Sequence, residues 1–204
     1  MSRRGVGGPD KLARVRAGIA ESAAVKRATL EACEAHIVRA AELVIETFRS
    51  GGKLLAFGNG GSASDAQHFA AELAGRYRRE RPGLPALALS ANSSDVTAIG
   101  NDYGFERVFA RLIQAHGRAG DVAVAISTSG NSANVLAAVE AAREQGMRSV
   151  GLTGRGGGKL AGMVDVPIVV PADATARIQE THITVVHLLC ELVDDALFPE
   201  APGA

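Results

Sequence analysis

The sequence predicts a doubly wound α/β fold: a parallel, Rossmann-like sheet flanked by helices, with a long helix towards each end of the chain. Three observations predict it. Short apolar runs alternate with helical stretches from residue 50 onward. Those runs are apolar at nearly every position, as strands buried on both faces must be. Gly- and Ser-rich segments follow two of the runs directly, where a strand hands over to a helix. A chain of 204 residues, 47% apolar and 22% charged, has room for one such sheet, and a domain of this size buries roughly 70% of its unfolded surface without disulfide staples.

The elements follow in order. Residues 1–9 are Gly-rich and read as a flexible segment, with residues 10–200 as one domain. From Lys11 to Arg49 the pattern is helical, since Cys33, Ile37, Ala40, Val44 and Phe48 recur three or four apart. Ser50-Gly-Gly52 stops that helix, and Leu54–Phe57 reads as a strand. Gly58-Asn-Gly-Gly-Ser62 leads into a helix whose start pairs Ser62 with Asp65 in a capping-box-like pattern. Pro85–Leu89 reads as a strand, Ala91–Asp95 as a loop and the stretch near Phe105–His116 as a helix. A strand at Asp121–Ile126, a helix at Ala133–Gln145, strands at Arg148–Leu152 and Val166–Val170, and a helix from about Ala174 to Leu197 complete the chain. The first and last helices are too long and too apolar for one small sheet to cover, which predicts contacts with other copies of the chain.

Composition removes several function classes. Lys plus Arg and Asp plus Glu are equal at 22 each, and the aromatics are 6 Phe, 2 Tyr and no Trp, which leaves neither a positive field nor stacking platforms for nucleic acid. Cys33 and Cys190 lack metal-ligand spacing and read as buried thiols. The N-terminus has no apolar signal region, and no run approaches the ~18 apolar residues of a membrane span, so the expected location is the cytoplasm.

Ligands of open α/β sheets bind beyond the carboxyl ends of the strands, so the strand-to-helix turns carry the chemistry. In the first, Gly58–Ser62, glycines let the backbone approach a ligand at a helix N-terminus, which favours an anion. The spacing Gly58-x-Gly60-x-x-Ala63 also fits a dinucleotide fingerprint, but Ala86–Ser90 lacks the acidic residue that would hold the ribose, and Asp95 comes too late. No nucleotide cofactor is expected. Gly154-Arg-Gly-Gly-Gly-Lys159 has the wrong spacing for a phosphate loop, and Leu160 stands where a hydroxyl would hold magnesium, so it reads as a flexible turn. The second turn, Ser127-Thr-Ser-Gly-Asn-Ser132, sets four hydroxyls and an amide at a helix N-terminus, a phosphate site without a cation or simply a polar N-cap.

His68 and Glu72 stand four apart on one helical face just after the first turn, suited to acid/base work or to metal ligation. The last helix offers Gln179, His182 and His187. Gln179 and His187 are separated by ~12 Å of rise and ~80° of rotation, so that they reach one site only over the middle of the segment, by helix bending or from two subunits. His182 reads as a lining or interface residue.

Together Gly58–Ser62, Asp65–Glu72, Arg81-Pro-Gly-Leu-Pro85, Gly100-Asn-Asp102, Ile126–Ser132, Leu152-Thr-Gly154 and Arg177-Ile-Gln-Glu180 resemble the phosphoheptose isomerases of the sugar isomerase (SIS) family, in the same order from about Leu43 to Leu192. The resemblance implies a cytoplasmic homotetramer that interconverts sedoheptulose 7-phosphate and D-glycero-D-manno-heptose 7-phosphate, the first step of nucleotide-activated heptose supply. It implies zinc held by His68, Glu72, Gln179 and His187, and substrate contacts from Asn59, Gly60, Gly61, Glu72, Asn101, Asp102, Ser127, Thr128, Ser129, Ser132 and Gln179. An aldose–ketose shift needs a base that takes a proton from one carbon and returns it to its neighbour. Glu72 fits that role, with His187 passing the hydroxyl proton. The alternatives are a SIS-fold regulator that binds the replication initiator, which has no need of His68, Glu72 and His187 together, and an isomerase of another phosphosugar.

Overall fold

The computed structural model describes residues 10–199, so the segment 1–9 lies outside the described residues. Helix α1 (Lys11–Arg49), capped by the Asp10 carboxylate, leads into β1 (Leu54–Gly58) and α2 (Gly61–Ala74). Strand β2 (Ala86–Ala88) is followed by α3 (Ser93–Tyr103), a 3₁₀ turn at Phe105–Arg107 and α4 (Val108–His116). Then come β3 (Val122–Ser127), α5 (Ala133–Glu144), β4 (Arg148–Thr153), two 3₁₀ turns at Arg155–Gly157 and Leu160–Gly162, β5 (Val166–Val169) and α6 (Thr175–Leu197).

All pairings are parallel, and the strand order is β2-β1-β3-β4-β5. Alternation along the strands divides the core in two. Leu54, Ala56, Val122, Val124, Ile126, Val150 and Leu152 join α1, α2 and α6 on one face. Leu55, Phe57, Ala123 and Ala125 join α4 and α5 on the other. Helices thus cover both faces, as the buried apolar runs require.

Two local expectations change. Ala91–Asp95 is not an extended loop: Asn92 caps α3 by accepting from the Ser94 amide (3.1 Å). No residue of α3 is fully buried; its apolar residues Val96 and Ile99 pack only partly against the core, a stripe too short to mark the helix in the sequence. Secondly, the Ser62–Asp65 capping box does not form. The N-cap of α2 is Gly60, at φ +56°, with no side-chain cap, and the amides of Ala63 and Ser64 bond the Gly60 carbonyl instead. Only a glycine adopts that φ without strain.

Candidate active site

Because β1 is flanked by β2 on one side and β3 on the other, the connections that leave β1 and β3 depart towards opposite faces and open a crevice at their carboxyl ends. The register pairs Gly58 with Ile126, which sets the Gly58–Ser62 and Ser127–Ser132 turns side by side. A Cβ on Gly58 would lie 2.7 Å from the Ile126 carbonyl oxygen, so a glycine is needed for the close approach. The turns are tied together by a reciprocal amide pair: Asn59 Nδ2 donates to Asn134 Oδ1 (2.8 Å) and Asn134 Nδ2 to Asn59 Oδ1 (2.9 Å). Ser127 Oγ and Ser132 Oγ share a 3.0 Å hydrogen bond across the second turn.

Helix α2 carries His68 and Glu72, and α6 carries His187 towards them. His68 Nε2 lies 2.9 Å from Glu72 Oε1 and 3.3 Å from His187 Nε2, and one ligand atom from each residue lies within 4.8 Å of the others. One proton on His68 Nε2 cannot serve both neighbours, whereas a shared cation would satisfy three converging lone pairs. Metal–ligand bonds of ~2.0–2.1 Å at tetrahedral angles separate donor atoms by ~3.3 Å. Two imidazoles and a carboxylate are also a donor set of open catalytic zinc sites. The residues present therefore fit such an ion. The cluster is open to solvent, with the His68 side chain 44% exposed.

Neighbours hold this cluster in place. Tyr77 stacks on His187, with ring centroids 5.6 Å apart at 26°. Burial pushes the Asp65 carboxyl up to about 6 despite the opposing pull of His68, and its Oδ2 is buried without a partner. Burial, aided by Glu72 and Asp194, pushes the Cys190 thiol up to about 12, so it is no nucleophile.

The remaining sequence candidates fall in different places. Gln179 lies against the start of α2, where any Cβ on Gly61 would overlap its amide. Gln179 beside Gly61 and His187 beside His68 mean that α2 and α6 run parallel, so the rise between Gln179 and His187 is matched by that from Gly61 to His68. Asn101 and Asp102 are exposed on the last turn of α3, where Asn101 Nδ2 donates to Asp102 Oδ1 (2.8 Å). His182 is not a lining or interface residue: it is fully buried, its Nε2 bonds the Thr153 carbonyl (3.1 Å), and burial lowers its pKa to about 4. Tyr77 and Asn134 escaped the sequence reading, because only the tertiary approach of their elements gives them a role.

A parallel sheet whose β1 and β3 turns present Gly, Ser and Asn at helix N-termini defines a SIS domain, and the SIS domain family model matches residues 19–154. The chain is 60% identical over 176 residues to a phosphoheptose isomerase of Roseiflexus sp. (strain RS-1), covering 86% of this chain and 89% of that protein. It is 50% identical over 192 residues to a phosphoheptose isomerase of Alteromonas mediterranea, covering 93% and 97%. The structure of phosphoheptose isomerase GmhA from Neisseria gonorrhoeae superimposes with a TM-score of 0.87 at 50% identity, over 91% of this chain and all of that one. The chain belongs to the phosphoheptose isomerase family of SIS-domain enzymes, and the regulator reading has no support among these relatives.

Proposed function

We propose that residues 10–200 form one SIS domain that interconverts sedoheptulose 7-phosphate and D-glycero-D-manno-heptose 7-phosphate through an enediol(ate), at the head of nucleotide-activated heptose supply. The observation that carries this is the convergence of His68, Glu72 and His187, within the same fold as the two anion-binding turns. In the ketose-to-aldose direction Glu72 takes a proton from C1 and returns it to C2, while His187 moves the hydroxyl proton from O1 to O2. Glu72 Oε1 faces His68, so carbon-proton transfer falls to Oε2. The substrate phosphate sits on Ser127, Thr128, Ser129 and Ser132, and Asn59–Gly61, Asn101, Asp102 and Gln179 serve the sugar hydroxyls. Zinc, which His68, Glu72, Gln179 and His187 would hold, would supply Lewis acidity for charge developing on oxygen. The test is turnover of sedoheptulose 7-phosphate after chelation and after zinc is returned. Chelation should abolish turnover and zinc should restore it; no turnover with zinc supplied would defeat the assignment.

Among the described residues no helix is long and apolar enough to cross a membrane, and the expected setting is the cytoplasm. Assembly as a homotetramer is supported by the exposed apolar residues Leu30, Val38, Leu188 and Leu192 of α1 and α6, which with the buried Ile37 line a groove of about 400 Å³. A second copy would cover that groove, and the exposed cluster would gain a wall that excludes water. Leu188→Glu with Leu192→Glu should shift sedimentation to smaller species and lower activity; an intact tetramer would place the interface elsewhere.

A further inference from the structure

The Gly154–Lys159 segment has no part in the chemistry proposed above, and it is not a flexible turn. Its glycines 156, 157 and 158 hold φ of 72°, 94° and 55°, and the chain is pressed against the back of the Ser127–Ser132 turn. Leu160 N donates to the Gly130 carbonyl (2.9 Å), Lys159 N to Asn131 Oδ1 (3.1 Å), and Asn131 Nδ2 to the Ser129 carbonyl (2.9 Å). Gly130 itself sits at φ +63°, and a Cβ there would overlap the Gly157 carbonyl. The contact is reciprocal. A Cβ on Gly158 would lie 2.5 Å from the Ser129 carbonyl oxygen, 2.7 Å from Gly130 C and 2.8 Å from Asn131 Nδ2.

These bonds all fall on carbonyl oxygens or on the Asn131 amide. A turn that binds an anion through hydroxyls and N–H groups must keep its carbonyls away from the ligand, because a carbonyl dipole repels negative charge. We infer that the Gly157–Leu160 backbone and the Asn131 side chain are a positioning brace that turns the Ser129 and Gly130 carbonyls away from the substrate phosphate and so sets its affinity. The inference rests on the reading of Ser127–Ser132 as the phosphate site. Asn131 thereby acts behind the site, with both its side-chain amide atoms engaged, while its backbone N–H donates to Ser129 Oγ (3.2 Å).

The test compares KM, kcat and the Ki of inorganic phosphate as a competitive inhibitor in four variants. Ser129→Ala should raise KM and the phosphate Ki, the signature of lost uniform binding. Gly158→Ala should raise both about 10-fold and leave kcat within about 2-fold, because the reacting carbons lie elsewhere. Asn131→Ala, at an exposed position, should do the same in the range of about 3- to 10-fold for two lost hydrogen bonds. Gly51→Ala is the strain control, since Gly51 also has positive φ (76°) but a Cβ there meets nothing within 4 Å and lies before β1, at the opposite end of the sheet. Its KM should match the parent. If Ser129→Ala leaves KM and Ki unmoved, the phosphate reading falls and the brace with it. If Ser129→Ala raises them while Gly158→Ala and Asn131→Ala do not, or if Gly51→Ala raises them equally, the brace alone is overturned.

Discussion

Glu72→Gln should lower kcat by about 10³-fold with zinc supplied, the contribution expected of a positioned general base, while KM for sedoheptulose 7-phosphate stays within a few-fold. The amide has the shape of the carboxylate and keeps an oxygen towards His68, but it cannot accept a carbon-bound proton. A 10³-fold loss corresponds to about 4 kcal/mol of transition-state stabilisation. Since Glu72 Oε1 is also one of the three converging ligand atoms, zinc content must be measured on the variant itself. Full zinc occupancy with lost turnover isolates the proton transfer. Lost zinc with restored turnover at high metal would reduce Glu72 to a ligand, and wild-type rates would remove it from the mechanism.

How far the chain could be read before its structure depended on where the information resided. Strands β1 and β3 are buried at every position, so they appear as unbroken apolar runs in any reading. Helix α3 is capped by Asn92 and packs only Val96 and Ile99, both partly buried, against the core, so periodicity had little to detect. The His68–Glu72 pair was legible because four residues is one helical turn. The Gln179 and His187 relation was not, since it depends on α6 lying parallel to α2 and pairing with it at two levels. Likewise His182 has the same chemistry as His187, yet faces the sheet and the Thr153 carbonyl. Five residues along the same helix, only packing distinguishes a core histidine from one in the cluster.

The structure also gives the Arg81-Pro-Gly-Leu-Pro85 motif a task. Arg81→Met should cost about 3–5 kcal/mol, the expected penalty for stranding one charge of a buried ion pair. The Arg81 and Asp194 side chains are 1% and 3% exposed, and Arg81 Nε donates to Asp194 Oδ1 at 2.7 Å. The same guanidinium donates from Nη1 to the carbonyls of Leu73 (2.8 Å) and Gly75 (3.2 Å) and from Nη2 to that of Glu72 (3.0 Å). It therefore caps the carboxyl end of α2 and fastens it to α6, so that one side chain fixes the helix bearing Glu72 against the helix bearing His187. Methionine fills much of the volume but leaves the Asp194 carboxylate unpaired and the α2 carbonyls without a donor. For a domain of this length, at about 2–4 °C per kcal/mol, the melting temperature should fall by about 10 °C at matched protein concentration. Arg81→Lys should recover little of it, because a single ammonium cannot span the carbonyls and the carboxylate together. Arg81→Met combined with Asp194→Leu should recover part, since removing both charges avoids the stranded one. A melting temperature within about 2 °C of the parent for Arg81→Met would show that water or a neighbouring side chain takes over the carboxylate. A loss that Asp194→Leu fails to relieve would transfer the cost to the uncapped end of α2.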